Sequence, residues 1–487
     1  MRTAAVAFLA STLIAAVLTP AVRNLAHRLG WLDHALTSRK IHGKPIPRLG
    51  GIAIVAAFYA PLVALLFVNS DVGSRFYAEP RAVFGLFAGG LAIAALGLYD
   101  DLKGCGARMK FAVQFSIAAG LYALGFRIDT IANPFGAPFH LGVLAVPFTL
   151  LWIAGVINAM NLLDGLDGLA GGVALAAVTT TFAIAALRTQ PLMILFTAAL
   201  GGAIVGFLFY NFNPASIFMG DSGSMFLGFV LAATSIQTSQ KSPTMVAMIV
   251  PIVALGVPIA DTLLAMARRA ARGAPLFSAD RGHIHHRLLD LGLTHRQTVL
   301  VLYGASCILG VAALVLTTAN SHQAALLLVA VSGVAFVALR RLGFMRLSMT
   351  EAAAALGQRR RNLKTRAAIR RVGEALRRCD RLDDLWDAVR GFGPLLGATG
   401  VDFHVGRAGV SWSSDPGSGP AAFRARYGLL AERPGDDHLE FAWTDGRTGV
   451  DRDTEIAIEL LCDQVSAVLD RIEEQAATAR RVANLRR

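Results

Sequence analysis

A short block near the end of an apolar run carries carboxamides and carboxylates at a regular interval. Residues 158–168 read NAMNLLDGLDG, so Asn158, Asn161, Asp164 and Asp167 recur at every third position. If the block is helical, successive members of this series are neighbours. Their oxygens suit a hard cation such as Mg2+, and such polar groups are costly to keep at a membrane without a function. The block therefore predicts metal-dependent chemistry on a phosphate-bearing substrate.

Two adjacent carboxylates close an earlier apolar run. Asp100 and Asp101 follow Gly-Leu-Tyr, and Lys110 begins the next run. The two acids could bind a metal or act as a base, and solvation of a helix end is the alternative explanation for them. Lys110 is either a snorkelling membrane anchor or a point charge that holds a phosphate. All three residues are candidates for the same site.

A further carboxylate lies where a helix should begin. Residues 211–224 read NFNPASIFMGDSGS, with Asp221 and Ser222 just before an apolar run. One interpretation is that these residues cap the helix. The other is that free N–H groups at the helix start hold a phosphate, while Asp221 completes a metal site. The sequence alone leaves both interpretations open.

Imidazole and guanidinium groups are concentrated in residues 280–287, which read DRGHIHHR. The spacing of the three histidines is not that of a zincin, whose two histidines are four positions apart on a helix. Next to two arginines, and in a chain with a carboxylate and amide cluster, they suit a diphosphate and a sugar better than zinc. These candidate residues are Arg281, His283, His285, His286 and Arg287.

A second basic segment, residues 39–51, reads RKIHGKPIPRLGG. Membrane topology alone could explain its charge. The pattern Pro-x-Pro-Arg-x-Gly-Gly indicates in addition a shaped loop at the lip of the site. Lys40, His42 and Arg48 are its candidate substrate-binding residues.

The elements that must position these residues are membrane helices. The chain has 487 residues, of which 54% are hydrophobic and 16% charged, against about 25% charged residues in soluble domains. An apolar run of about 20 residues spans a bilayer. We predict an all-α polytopic membrane protein in which the first run is a retained helix rather than a signal peptide. The eleven predicted spans are residues 3–22, 49–69, 82–101, 110–126, 140–158, 168–188, 192–211, 222–238, 244–266, 298–318 and 322–340.

Basic residues identify the side of the membrane on which each connection lies. The first and ninth connections between spans are rich in Lys and Arg, whereas the even-numbered connections are short or poor in both. Basic loops stay cytoplasmic, which predicts an inner-membrane protein with its N-terminus outside and its C-terminus in the cytoplasm. Every polar group described above falls in an odd-numbered connection, so all of them can converge on one cytoplasmic site.

Net charge and cysteine content exclude other classes of protein. The formal net charge of +13 reflects orientation and attraction to anionic lipid head groups, not nucleic-acid binding, because the basic residues lie in loops between apolar runs. Cys105, Cys307, Cys379 and Cys462 are widely separated and have no CxxC spacing. Neither a disulfide framework nor a zinc site is indicated.

The composition changes near residue 345. We predict a transmembrane domain over 1–345, a helical linker over 346–378, a soluble α+β domain over 379–475 and a basic tail over 476–487. Within the soluble domain the pattern predicts an amphipathic helix, four short strands and a long final helix. Their residues are 381–398, then 401–406, 408–413, 421–430 and 438–444, then 451–475. This order is weakly similar to a GAF-type sensor domain, and we expect a regulatory or associative role.

Five motifs in order give the chain a resemblance to a known family. They are KIHGKPIPRLGG, GxxDD, NxxNxxDGxDGLA, PAxxFMGDxGS and DRxHIHHRL. The set resembles the polyprenyl-phosphate N-acetylhexosamine-1-phosphate transferases over roughly residues 1–340. The HIHH form is closer to the branch that uses UDP-N-acetylglucosamine than to the branch that makes peptidoglycan lipid I. Together, five ordered motifs are far more specific than any one of them.

The resemblance implies a reaction and its participants. A polyprenyl phosphate, such as undecaprenyl phosphate, attacks the β-phosphate of a UDP-N-acetylhexosamine and releases UMP. The product is the first intermediate of a lipid-linked cell-surface glycan, such as a cell-wall polymer or lipopolysaccharide. The resemblance further implies Mg2+ as cofactor, with Mn2+ as the alternative, and a homodimer in the bilayer. The effector of the soluble domain stays unassigned.

The resemblance also implies roles for residues. Asn161 and Asp221 match the metal site, and the acidic pair Asp100 and Asp101 matches residues that deprotonate or orient the lipid phosphate. Lys110 matches a diphosphate-binding lysine and Asp167 a residue near the uracil, while Asp164 is assigned to catalysis. His283 is also assigned to catalysis and, with His285, His286, Arg281 and Arg287, to the diphosphate and sugar.

One position departs from the pattern, and two other functions compete with the transferase. Relatives carry a third acid three residues after the acidic pair, where this chain has Gly104, so a third carboxylate is not assigned. The alternatives are a transporter with an ion site and an inactive, transferase-like membrane sensor. A transporter would place its acids near the bilayer midplane and often shows internal repeats, whereas these acids lie at the ends of spans.

Overall fold

The computed structural model divides the chain into two compact units, described separately below. Unit 1 comprises Met1–Ala267 and Ala279–Arg346, and unit 2 comprises Arg268–Ser278 and Leu347–Arg487. The described residues are 1–33, 46–67, 76–131, 133, 139–240, 248–272, 282–344, 373–376, 379, 381–405, 408–413, 423–429, 437–446, 449–450 and 452–485.

The described part of unit 1 is built mainly from helices. In chain order they are α1 (Arg2–Arg28), α2 (Gly50–Leu66), α3 (Pro80–Lys103), α4 (Ala107–Ala123), α5 (Ala145–Leu163), α6 (Leu169–Leu187), α7 (Pro191–Asn211), α8 (Gly220–Gln240), α9 (Ile249–Ala254), α10 (Gly256–Arg272), α11 (Ile284–Asp290), α12 (His295–Leu316) and α13 (Ser321–Arg341). The last residues of α10, 268–272, are counted with unit 2. Two antiparallel strand pairs join them, β1 (Leu32–Asp33) with β2 (Ile46–Pro47) and β3 (Thr130–Ile131) with β4 (Phe139–His140).

The starts of several helices follow from local chemistry. Pro80 and Pro191 occupy the first positions of α3 and α7, where a missing N–H is no loss. Thr294 and Asn320 each form a reciprocal capping box with a glutamine three residues later, at the starts of α12 and α13. Such boxes satisfy N–H groups that the helix itself leaves open.

The predicted spans coincide with helices, with one difference. Among the described residues, seven helices are long and apolar enough to cross a membrane, namely α1, α3, α5 with the 3-10 turn that precedes it, α6, α7, α12 and α13. The full count of eleven spans stays a prediction. The ninth predicted span, 244–266, is not one continuous helix, because α9 ends at Ala254 and α10 begins at Gly256. Pro258 has no N–H to donate to the carbonyl of Ala254, which favours a break there.

Helix α8 lies at the centre of unit 1, against α2, α3, α5 and α6. Phe226 and Phe229 on α8 are fully buried. The ring centroid of Phe226 lies 5.4 Å from that of Phe58. Gly89 on α3 leaves room for Phe229, since a Cβ there would come within 2.5 Å of its ring. The helix that begins with the Gly-Asp-Ser motif is therefore held on several sides.

Unit 2 has its own apolar core and an antiparallel sheet in the order β6-β5-β8-β7. Its elements are α14 (Leu382–Arg390), a 3-10 turn (Gly393–Leu396), β5 (Gly400–Val405), β6 (Ala408–Ser413), β7 (Phe423–Gly428), β8 (His438–Trp443) and α15 (Arg452–Leu485). Buried Val401, Phe403 and Phe441 belong to one core with residues of both helices. The predicted strands are present within a few residues, and the predicted 381–398 helix ends at Arg390. Most of the linker lies outside the described residues, and the GAF-type assignment stays a prediction.

Candidate active site

A lysine bridges two carboxylates where three helix ends meet. The Nζ atom of Lys110, in the first turn of α4, lies 2.6 Å from the Oδ2 atoms of both Asp100 and Asp221. Asp100 is in the last turn of α3, and Asp221 is in the first turn of α8. The side chain of Lys110 is only 17% exposed, so solvent screens these charges weakly. A membrane anchor that reaches to solvent does not explain this position of Lys110, and solvation of a helix end does not explain that of Asp100.

The second acid of the pair has a different partner. Asp101 accepts hydrogen bonds from the backbone N–H of Asp221 at Oδ1, 2.8 Å, and from that of Ser222 at Oδ2, 3.0 Å. A negative charge is stabilised at a helix N-terminus, where N–H groups lack intrahelical partners. The expectation that these N–H groups hold a phosphate is therefore wrong for these two, because Asp101 occupies them. Nor do Asp221 and Ser222 cap α8, because the helix already begins at Gly220.

The amide series separates into different environments. Asn161 donates to Asp221 Oδ2 at 3.3 Å and accepts from the Ser224 hydroxyl at 2.9 Å. Asn158 instead donates to the side chain of Gln114 at 2.6 Å, away from Asp221. Helix α5 ends at Leu163, so the helical spacing stops before Asp164 and Asp167. The condition for successive members to be neighbours, a helical block, therefore holds only for Asn158 and Asn161.

Asp164 follows the last residue of α5 and is partly buried. Burial, and then the negative charges of Asp221 and Asp101, raise the pKa of Asp164 to about 7, while Arg48 lowers it. A carboxyl group with this pKa is partly protonated at neutral pH. It can donate a hydrogen bond as well as accept one, unlike an ordinary ionised aspartate.

Asp167 holds the connection between α7 and α8. Its Oδ2 atom accepts from the side-chain amide of Asn213 and from the backbone N–H of Ala215, both at 3.0 Å. Arg296 donates to the carbonyl of Asn213 from Nε at 3.2 Å. A structural role for Asp167 is thus established by geometry, and its predicted role near the uracil stays a prediction.

Glycines bring the first connection against the start of α8. The backbone N–H of Gly50 donates to the carbonyl of Phe218 at 2.9 Å, and the N–H of Gly51 donates to the carbonyl of Met219 at 2.8 Å. A Cβ on Gly51 would overlap the backbone nitrogen of Gly223, so only glycine permits this approach. Arg48, two residues before Gly50, acts electrostatically on Asp164. Lys40 and His42, predicted for the same connection, lie outside the described residues.

The three histidines lie side by side. The rings of His283 and His285 are stacked, with centroids 5.6 Å apart, and the centroid of His286 is 4.4 Å from that of His285. A Cβ on Gly165 would be 2.9 Å from Nε2 of His285. The histidine motif therefore lies beside the turn that contains Asp164. Arg281 lies outside the described residues.

One of the three histidines has a strongly lowered pKa. His285 is buried, and this burial, followed by the charge of His286, lowers its pKa to about 3. It is therefore neutral at physiological pH, and it can contact a phosphate only as a hydrogen-bond partner. The guanidinium of Arg287, the next residue after His286, lies 5.8 Å from the ring centre of Phe344.

The sequence interpretation missed one residue, Asp261 on α10. Its Oδ2 atom lies 2.8 Å from Nδ1 of His283, and its Oδ1 atom accepts from the N–H of Ile284 at 2.7 Å. The available signal was an acid in the middle of the apolar stretch IVALGVPIADTLLAM. An ionisable residue inside a membrane-length run indicates function by default.

The donor set fits a hard divalent cation that also uses substrate oxygens. Among the described residues, no three His, Cys, Asp or Glu side chains are grouped so that they alone could hold a metal ion. Magnesium commonly takes one or two carboxylates and completes its shell with water and phosphate. Asp221 and the amide of Asn161, in contact at 3.3 Å, are of the right type for such a partial site.

Tyr303 supports the turn that follows Asp164. Its hydroxyl donates to the carbonyl of Gly168 at 2.5 Å, and its ring fills the space beside Gly172. We expect Tyr303→Phe to lower the free energy of unfolding by about 1 kcal/mol, because one partly buried hydrogen bond is lost. Thermal unfolding in detergent measures this, with Tyr77→Phe, an exposed tyrosine, as control. Equal unfolding temperatures for both variants would contradict the supporting role.

Fold and site together define a class, a polytopic helical membrane protein with a lysine–carboxylate–amide cluster at its helix ends. A sequence profile described as "Glycosyl transferase family 4" matches residues 83–239, which include the acidic pair, Lys110, Asn161 and Asp221. The chain is 39% identical over 316 residues to a "Probable undecaprenyl-phosphate N-acetylglucosaminyl 1-phosphate transferase" of Bacillus subtilis (strain 168), covering 65% of this chain and 85% of the relative.

Two other relatives extend the comparison. The "Decaprenyl-phosphate N-acetylglucosaminephosphotransferase" of Mycobacterium tuberculosis (strain ATCC 25618 / H37Rv) is 34% identical over 330 residues, 62% of this chain and 80% of the relative. The "Phospho-N-acetylmuramoyl-pentapeptide-transferase" of Listeria monocytogenes serotype 4b (strain F2365) is 33% identical over 217 residues, 42% of this chain and 64% of the relative. The chain belongs to this family of polyprenyl-phosphate sugar-phosphate transferases.

Proposed function

We propose that the chain transfers N-acetylglucosamine 1-phosphate from UDP-N-acetylglucosamine to a polyprenyl phosphate at the cytoplasmic membrane face. An oxygen of the lipid phosphate bonds to the β-phosphorus, the bond from that phosphorus to the oxygen shared with the α-phosphate breaks, and UMP leaves. The observation that carries the proposal is the Lys110 bridge between Asp100 and Asp221, at 2.6 Å to each. The names of the relatives add support for a polyprenyl-phosphate acceptor and for N-acetylglucosamine phosphate as the transferred group.

The cluster provides what phosphoryl transfer requires. That reaction depends on positioning and charge neutralisation more than on covalent help. Lys110 supplies a fixed positive charge between two helix ends, and Asn161 orients Asp221 through its amide. A magnesium ion, when bound by Asp221 and Asn161, would neutralise phosphate oxygens.

We assign different roles to the two adjacent acids. Asp101 keeps both oxygens on the N–H groups of Asp221 and Ser222, so it fixes the start of α8. Asp100 shares Lys110 with Asp221 and is the acid better placed to orient the lipid phosphate or accept its proton. The partly protonated Asp164 would donate a hydrogen bond to a phosphate oxygen.

The test uses Asp221→Asn in the full-length chain. We measure UMP release from UDP-N-acetylglucosamine with polyprenyl phosphate and Mg2+, and again with EDTA. The variant should lose at least ~100-fold in rate, because a charge that positions the phosphates is removed. Asp129→Asn, a change at an exposed residue, is the control and should match the wild type. Wild-type rates in Asp221→Asn, or UMP release without lipid phosphate, would overturn the proposal.

The same assay tests which sugar the chain transfers, with other UDP-N-acetylhexosamines in place of UDP-N-acetylglucosamine as donor. We propose that the product begins a lipid-linked cell-surface glycan, and that unit 2, which has a separate core, regulates the transferase. A transporter would release no UMP, and neither would an inactive sensor.

A further inference from the structure

Asp261 is a buried acid within an otherwise apolar part of α10. It is 2% exposed, and the residues before it in α10 are Gly, Val, Pro, Ile and Ala. Burying a carboxylate is unfavourable unless hydrogen bonds compensate. A buried acid in a membrane protein therefore needs partners whose hydrogen bonds offset the loss of hydration.

Both oxygens of Asp261 are used by the histidine motif. Oδ2 lies 2.8 Å from Nδ1 of His283, and Oδ1 lies 2.7 Å from the backbone nitrogen of Ile284, the first residue of α11. His283 is itself only 6% exposed. The carboxylate therefore fixes both the direction of the imidazole and the chain that carries it.

This geometry selects one tautomer. An ionised carboxylate only accepts hydrogen bonds, so pairing with the carboxylate form of Asp261 places the shared proton on Nδ1 of His283. The other nitrogen, Nε2, is then the one that can meet a ligand. In metal sites a carboxylate behind a histidine acts in the same way, by fixing its tautomer and ring orientation.

We propose that Asp261 is a positioning residue of the transferase, which holds His283 with its Nε2 atom directed to the donor substrate. The ring of His283 is stacked on that of His285, and His285 lies against Gly165 next to Asp164. Asp261 thus holds the start of the histidine motif, which lies beside the turn that contains Asp164. The inference rests on the proposed function and deepens it, since it names the group that positions His283.

Asp261→Asn separates positioning from folding. The asparagine oxygen can still accept from the N–H of Ile284, but its NH2 group donates to Nδ1 and forces the proton of His283 to Nε2. We expect kcat for UMP release to fall about 100-fold, with the KM for the UDP-sugar changed much less and the unfolding temperature near that of the wild type. Asp290→Asn, at the exposed end of α11, is the matched control.

A double variant tests whether Asp261 acts through His283. Asp261→Asn combined with His283→Ala should be no slower than His283→Ala alone, because residues that act as a unit are not additive. Rates that fall by the product of the two single effects would overturn the proposal. So would an Asp261→Asn variant with wild-type kcat.

A spectroscopic readout is independent of turnover. In protein with isotope-labelled histidine, the His283 signal, assigned by its loss in His283→Gln, should report a proton on Nδ1 in the wild type and none there in Asp261→Asn. An unchanged tautomer would overturn the proposal. If the wild type shows this tautomer but releases no UMP, the proposed function fails while the pairing stands, so the two failures are distinguishable.

Discussion

We expect Lys110→Met to abolish transferase activity and to destabilise the fold. The ammonium lies 2.6 Å from both Asp100 and Asp221, whose side chains are only 14% and 26% exposed. Removing one partner of a buried ionic cluster leaves the other charges facing each other and typically lowers stability by about 3–5 kcal/mol. The rate of UMP release should fall at least ~100-fold. Unfolding in detergent and the UMP assay measure the two effects.

Two further variants sharpen this prediction. Lys103→Met changes the same residue type at an exposed position seven residues earlier and should leave both quantities near wild type. Asp100→Asn added to Lys110→Met should restore part of the stability, because one of the facing negative charges is removed, without restoring activity. A Lys110→Met chain as stable and as active as Lys103→Met would contradict the bridging role.

Gly97→Ala has the second large effect. A Cβ at this position on α3 would lie 2.5 Å from Cα of Ser222 and 2.6 Å from the backbone of Asp221. Since these are backbone atoms, α3 and α8 would have to move apart, which for overpacking costs about 1–3 kcal/mol or more. The same movement would separate Asp101 from the N–H groups that it caps. We expect a lower unfolding temperature and a strong loss of activity together.

The matched control is another helical glycine. Gly155 on α5 has no heavy atom within 4 Å of an added Cβ, and alanine there should be neutral or slightly stabilising, because alanine favours helix. If Gly97→Ala and Gly155→Ala behave alike in unfolding and in UMP release, the close approach of α3 and α8 does not position the site.

The sequence predicted which connections would meet. Polar residues at span ends, all in odd-numbered connections, were expected to converge, and the contacts of Lys110, Asn161 and His285 join the third, fifth, seventh and ninth connections. This success has a physical reason, since apolar runs of membrane length leave few places for polar groups. Which face is cytoplasmic stays a prediction.

Individual roles were harder to predict because they depend on partners distant in sequence. Nothing in the local sequence shows that Asp101 would take the N–H groups of Asp221 and Ser222 while its neighbour Asp100 meets Lys110. Successive members of the series from Asn158 to Asp167 would be neighbours only in a helical block, and α5 ends at Leu163. Asp261 lies inside the predicted span 244–266, so a search for polar residues at span ends does not find it.

In unit 2 the local signals were sufficient for the strands. Alternating apolar and polar residues predicted β5 and β8, and the sheet pairs them directly, Val401 with Phe441 and Phe403 with Leu439. The strand order across the sheet depends on pairings that alternation does not specify. The sequence of unit 2 contains no comparable functional motif, so its regulatory role remains a proposal.

The claim that connections far apart in the chain build one site at the cytoplasmic face is tested most directly by side-specific thiol labelling. Native Cys105 lies in the third connection, and Asp290→Cys, in a background with Cys307→Ala, marks the ninth. A membrane-impermeant reagent should label both positions in inside-out vesicles and neither in right-side-out vesicles. Labelling of the two positions from opposite sides would contradict the account.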